Sequence, residues 1–160
     1  MNILFICEDN ASLSIIAESI LKSVTRTRFG AFSAGRVAAK QVNKQVFRFL
    51  REHHMPVAGL RPKSLADVRA GNVVSMDFII TLCDIDGELL RDWPGEPFIA
   101  HWNIEERNGQ ACWVPLSEEA IRDTFWTLMR RIKIFASLPE GKLNVRRLRQ
   151  RALTLQPNYL

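Results

Sequence analysis

The sequence predicts an α/β domain, a doubly wound four-stranded parallel sheet with helices on both faces. Three observations predict it. Four short apolar runs are spaced along the chain, helical patterns fill the gaps between them, and a loop of small and polar residues joins the first run to the first helix. Strands alternating with helices are the pattern of βαβ units, whose sheets are parallel and whose crossovers are right-handed.

The first run, "NILFI" at 2–6, meets Cys7 and a polar loop before a helix expected from Ser14 to about Val24. Ile15, Ile16, Ser19 and Ile20 recur there at helical spacing. "GAFSA" at 30–34 reads as the second strand, and Val46, Phe49 and Leu50 mark one side of a helix over 42–53. Ser64, three residues before Asp67, reads as the N-cap of a short helical turn. "DFIITL" at 77–82 and "PFIAHW" at 97–102 supply the third and fourth strands. "SEEA" at 117–120 then places a serine cap and two acids at the start of a helix running to about Ala136. Its core stripe is Ile121, Phe125, Leu128, Ile132 and Phe135. "LPEG" at 138–141 is the clear linker. Residues 1–140 therefore read as one domain, and residues 141–160 as a basic tail with a further helix over 143–155.

A 160-residue chain that is 47% hydrophobic and 24% charged can bury a full core, which excludes a disordered class. No apolar run approaches the ~20 residues of a membrane span. The start "MNILFICEDN" has no basic leader, so a cytoplasmic protein without a membrane partner is expected. Three scattered cysteines make neither a disulfide framework nor a zinc signature, so free thiols, no metal and no cofactor are expected. Residues 1–140 hold 17 basic and 17 acidic side chains, so the net charge of +5 lies wholly in the tail. Lys142, Arg146, Arg147, Arg149 and Arg151 carry it. Residues 142–151 are where an acidic partner or a nucleic acid would dock; the plainer reading is a solvated helix face.

The chemistry is expected at the first loop. Ligands of open parallel sheets bind outside the carboxyl ends of the strands, and Cys7 closes the first strand. Glu8, Asp9, Asn10, Ala11, Ser12, Leu13 and Ser14 lead from it into a helix. Such a loop can turn backbone N–H groups inward to hold a tetrahedral oxyanion, and the same dipoles lower the pKa of a thiol placed there. Nucleophile and cradle then coincide. Yet the loop carries two acids and no cation from Cys7 to Ser14.

Cysteine at the end of the first strand, five loop residues, arginine and serine make the signature of low-molecular-weight protein tyrosine phosphatases and of the arsenate reductases built on the same Rossmann-like fold. This chain resembles that family over about residues 2–137. "FSAG" (32–35), "LRPKSL" (60–65), "DFIITLCD" (77–84), "HW" (101–102) and "EEAIRDTFWTLMRRI" (118–132) follow in the expected order, most like the reductase branch. The resemblance implies that Cys7 is the nucleophile, that Asn10 holds the loop's backbone, and that the Ser14 hydroxyl donates to the thiolate. It makes Cys83 the second redox cysteine and Glu106, then Glu105, the general acid. It implies a phosphate, arsenate or phosphotyrosine-type oxyanion as ligand, and thioredoxin or another thiol donor as partner.

Four departures accompany the resemblance. Leu13 stands where the family has its arginine, which clamps the equatorial oxygens and strengthens as charge develops. Glu8 adds a negative charge beside the loop. Arg107, not proline, follows Glu106, and Leu89 and Leu90 stand where the reductases place a third cysteine. Arg36 and Arg61 are the arginines that could enter in place of the missing one. Three readings stay open: an oxyanion-binding member with impaired catalysis, an active phosphomonoesterase or arsenate reductase, and a non-enzymatic binding or regulatory module.

Overall fold

The computed structural model describes residues 1–71, 74–104, 116–146 and 148. β1 (Asn2–Cys7), β2 (Gly30–Gly35), β3 (Phe78–Thr81) and β4 (Phe98–His101) form one parallel sheet in the order β2-β1-β3-β4. Between and after them lie α1 (Leu13–Val24), α2 (Lys44–Glu52), α3 (Leu65–Gly71) and α4 (Glu118–Ser137). The α/β fold with a four-stranded parallel sheet is the one the alternation of runs predicts.

Burial follows position in the sheet. Residues 3–7 of β1 and all four of β3 are buried, so both faces of the central strands are covered. β4 is the edge, with partly buried and exposed residues alternating. Phe5, Phe78 and Phe125 are the largest fully buried side chains, and α1 packs against α4 and β2 around them.

The expected caps form. Ser117 accepts the Ala120 N–H at 3.1 Å, and Ser64 accepts the Asp67 N–H at 3.0 Å. α2 begins at Lys44, two residues later than its apolar spacing predicts, because the Asn43 side chain accepts the Gln45 N–H at 2.9 Å and caps it. Among the described residues no helix is long and apolar enough to cross a membrane. The expected tail helix is described only as far as residue 148, where Leu148 N–H donates to Asn144 O at 2.9 Å. Arg147, Arg149 and Arg151 lie outside the described residues.

One topological feature places the site. The chain leaves β1 for β2 on one side and returns to β3 on the other. A crevice opens outside the carboxyl ends of two neighbouring strands where the order reverses in this way. Cys7 ends β1, and Cys83 follows β3 by two residues.

Candidate active site at the Cys7 loop

Cys7 pairs in register with Gly35 of β2, and the loop 8–12 turns from it into α1. The segment following β2 runs alongside this loop and fixes its path. Arg36 N–H donates to Cys7 O at 3.0 Å, Val37 N–H to Glu8 O at 3.0 Å, Ala39 N–H to Asp9 O at 2.8 Å and Asn43 N–H to Ala11 O at 2.9 Å. Gly35 permits this close approach. A Cβ there would stand 2.7 Å from both Asn10 N and Asp9 C, where no side chain fits.

Beneath the loop lies a buried polar network centred on Asn10. Its φ of +53° is left-handed, a conformation asparagine tolerates better than most residues. Asn10 Nδ2 donates to Ser14 Oγ at 2.7 Å and to Ser33 Oγ at 2.9 Å, while Oδ1 accepts the Lys63 N–H at 2.8 Å. The Ser33 hydroxyl donates to the Glu18 carboxylate. Glu18 also holds Lys22 Nζ at 2.6 Å and Lys63 Nζ at 3.4 Å. Burial pulls the Lys63 ammonium below its ordinary range, against the upward pull of Glu18. Asn10, Ser14 and Ser33 have no exposed surface, and all their polar side-chain atoms have partners.

This network reaches the sulfur. Cys7 Sγ lies 2.8 Å from Ser14 Oγ and accepts the Asn10 N–H at 3.3 Å. Ser14 Oγ already accepts the Asn10 amide, so its own hydrogen is free to point at Sγ. Both donors favour a thiolate, but they are outweighed. Burial first, then the nearby Asp9 carboxylate and Cys83, push the Cys7 thiol up to about 11, with the Ser14 bond opposing them. These influences run against the thiolate that the loop dipoles are expected to favour at neutral pH. The sulfur is buried, and Asp9 Oδ1 lies 4.0 Å away, so both its desolvation and the nearest carboxylate favour the thiol form.

The mouth of the loop departs from an anion cradle at three positions. Leu13, the first residue of α1, is 5% exposed and belongs to the hydrophobic core. Asp9 Oδ1 accepts the Ala11 N–H at 3.0 Å, so a carboxylate occupies one loop amide. Glu8 is paired with Arg36, whose Nε donates to Glu8 Oε1 at 2.7 Å and whose Nη2 contacts the same oxygen. Ser12, at the cap position of α1, makes no side-chain cap bond, and the Ser14 backbone N–H is turned to the Cys7 sulfur.

Cys7, Asn10 and Ser14 are thus brought together, with Glu8, Asp9, Ala11, Ser12 and Leu13 around them. Cys83 is a buried free thiol near enough for its charge to act on Cys7. Leu82 N–H donates to Ile6 O at 2.8 Å, extending the β1–β3 pairing as far as the residue before Cys83. Glu105 and Glu106 lie outside the described residues. No group of three or more His, Cys, Asp or Glu side chains that could hold a metal ion occurs among the described residues. Glu18, Ser33 and Lys63 were given no role from the sequence. Glu18 had a signal: it is an acid four residues beyond Ser14, flanked by the apolar residues Ile15, Ile16, Ala17, Ile20 and Leu21 of α1.

A family model described as "Low molecular weight phosphotyrosine protein phosphatase" matches residues 2–97, a shorter stretch than the 2–137 expected from the motifs. No curated protein sequence matches. Among solved structures, a thioredoxin-dependent arsenate reductase of Corynebacterium glutamicum is 23% identical, with a TM-score of 0.58 over 84% of this chain. This chain spans only 59% of that protein. An arsenate reductase in its phosphate-binding state is 20% identical with a TM-score of 0.66, covering 84% of this chain and 95% of its own. A low-molecular-weight protein tyrosine phosphatase of T. tengcongensis is 23% identical with a TM-score of 0.64, covering 86% and 99%. At these identities the likeness establishes the fold.

Proposed function

Because the chain belongs to the low molecular weight phosphotyrosine protein phosphatase family, we propose that it binds a tetrahedral oxyanion at the Cys7 loop while its cysteine-dependent phosphate transfer is impaired. The observation that carries this reading is Leu13. Its side chain is buried in the core at the position where the family signature requires a guanidinium. A loop without that group lacks the donor that strengthens as charge builds on the transferring phosphoryl oxygens. The upward push of burial and Asp9 on the Cys7 thiol adds to the impairment, since the thiol is a far weaker nucleophile than the thiolate. The place of the loop between the end of β1 and the start of α1 supports retained binding of phosphate, arsenate or a phosphotyrosine-type group. In this state the chain acts as a binding or regulatory module on an enzyme fold.

The test is turnover of an aryl phosphate by wild type, Cys7→Ser and Leu13→Arg, with phosphate binding followed by calorimetry. Wild type should bind phosphate yet turn over no faster than Cys7→Ser. Leu13→Arg should raise the rate by roughly 10²–10³-fold, the weight of one lost oxyanion donor. Robust wild-type turnover that disappears in Cys7→Ser would sink the impaired reading.

One observation favours a redox reading as the alternative. Cys7 and Cys83 are free thiols at the ends of neighbouring strands. In that chemistry Cys7 sulfur displaces a hydroxyl from arsenate. Cys83 then attacks that sulfur, and the As–S electron pair leaves on arsenic as arsenite. A disulfide results, which thioredoxin or another thiol donor would reduce. Leu89 and Leu90 occupy the place of the third thiol, so the donor would act directly on the Cys7–Cys83 bond. Arsenate-dependent oxidation of a thiol donor, lost in both Cys7→Ser and Cys83→Ser, is the outcome this alternative requires.

A further inference from the structure

The guanidinium missing at Leu13 has a substitute within reach of the same loop, and it is held by the loop's other anomaly. Arg36 is the first residue after β2, one position beyond the register partner of Cys7. Adjacent strands lie about 4.8 Å apart, so the Arg36 backbone stands beside the base of the loop. Its N–H bond to Cys7 O and the close packing of Gly35 against Asp9 and Asn10 fix that backbone. The side chain is what remains free to move: its relative exposure is 49%, against 21% for Glu8.

The guanidinium uses Nε and Nη2 on a single oxygen, Glu8 Oε1, which leaves Nη1 without a partner among the described residues. This is an unsaturated engagement. A planar guanidinium is satisfied best by two oxygens spaced as in a carboxylate, phosphate or arsenate. Exposed ion pairs contribute little net stability, so exchanging Glu8 for another oxyanion is cheap for the fold. The rivals near the loop are less suited. Lys63 Nζ is committed to Glu18 and to the Arg61 carbonyl, and Leu13 carries no charge.

We propose that Arg36 is the oxyanion-clamping arginine of this chain and that Glu8 is its built-in competitor, displaced when a tetrahedral dianion enters above Cys7. The inference rests on the oxyanion-binding reading and adds the residue that would hold the ligand. Glu8 is then a latch, since it occupies the clamp when the site is empty and repels the dianion until the pair opens. The latch acts before chemistry and independently of it, so the site discriminates among anions whatever the state of Cys7. A dianion that engages two guanidinium hydrogens displaces Glu8; a monoanion such as chloride does not. The clamp comes from the β2–α2 segment in place of the helix that normally supplies it.

The experiment is calorimetric titration of full-length wild type, Glu8→Gln, Arg36→Ala, Arg36→Lys and Leu13→Arg. Inorganic phosphate is the probe, with an aryl phosphate in parallel to tell a free anion from an esterified one. Glu8→Gln should bind phosphate several-fold tighter than wild type and Arg36→Ala roughly tenfold weaker. Arg36→Lys should recover only part of the loss, because a point charge cannot fork. Preference for the aryl phosphate would assign the clamp to a monoester; equal affinity would assign it to the free anion; either outcome supports the clamp. If Arg36→Ala binds phosphate as wild type does, the inference is overturned while oxyanion binding stands. If neither wild type, Glu8→Gln nor Leu13→Arg binds phosphate, the oxyanion reading itself falls, and the clamp with it. Unfolding midpoints without phosphate should be alike for wild type and the two Arg36 variants, so that a loss of binding reads the ligand contact and not the fold.

Discussion

The floor of the Cys7 loop and its mouth lie a few residues apart and obey different physics. The floor is Asn10, Ser14, Ser33 and Glu18, buried and hydrogen-bonded in a chain, with the partly buried Lys63 joined to it. The mouth is Glu8, Asp9 and Arg36, charged and reaching solvent, with Leu13 turned into the core. In the floor each polar group is costly to orphan, so the network is nearly all-or-none. In the mouth, charges are screened and can be replaced at little cost to folding. This difference lets a chain keep a family's loop shape while changing what the loop can do.

Asn10→Ala should have the largest effect on stability. It removes two donors and one acceptor from a buried site and puts alanine at a φ of +53°. A loss of about 3–5 kcal/mol is expected from urea unfolding. A loss below about 1 kcal/mol would mean that the floor does not hold the loop, and the contrast between floor and mouth would fail.

The Cys7 thiol comes next, because it joins the two regions. Its pKa is about 11 in the folded protein against 9.0 for a free thiol, so the folded state binds this proton more tightly. The stabilisation is complete below pH 9 and is lost as pH rises through 11, amounting to roughly 3 kcal/mol. Unfolding free energy measured from pH 7 to 11 should fall for wild type by more than for Cys7→Ser, and the difference isolates the thiol. Alkylation of Cys7 at pH 7–8 should be slow, and Asp9→Asn should speed it by removing one cause of the raised pKa. Rapid alkylation at neutral pH in wild type would show an activated thiolate and reopen the catalytic reading.

What the sequence made legible divides along the same line. The strands were legible because the central ones are buried on both faces and read as unbroken apolar runs. Cys7, Asn10 and Ser14 were legible because their roles lie within one loop and the turn that follows. Ser33, Glu18 and Lys63 were not assigned, because they join the loop through contacts 15 to 53 residues apart in sequence. The upward push on the thiol was hidden for a related reason. The loop dipoles are local and visible in the residue pattern, whereas the burial that outweighs them is set by the whole packed sheet. Arg36 could be picked out as a candidate, yet its attachment to Glu8 appears only once β2 is aligned beside β1. Glu105 and Glu106 remain expectations from the resemblance.

The smallest expected effect on stability is also the sharpest test of the mouth. Arg36→Ala and Glu8→Gln each break an ion pair whose guanidinium is half exposed. Each should leave the urea midpoint close to that of wild type, and the double variant should differ little from either. A surface pair kept for stability would give the opposite result: a clear loss in each single variant and no effect on phosphate binding. Because the segment after β2 is already tied to the loop by backbone hydrogen bonds from Arg36, Val37, Ala39 and Asn43, the fold does not need the pair to hold the two together. Small changes in unfolding alongside large and opposite changes in phosphate affinity would therefore place the Glu8–Arg36 pair with the ligand and not with the scaffold.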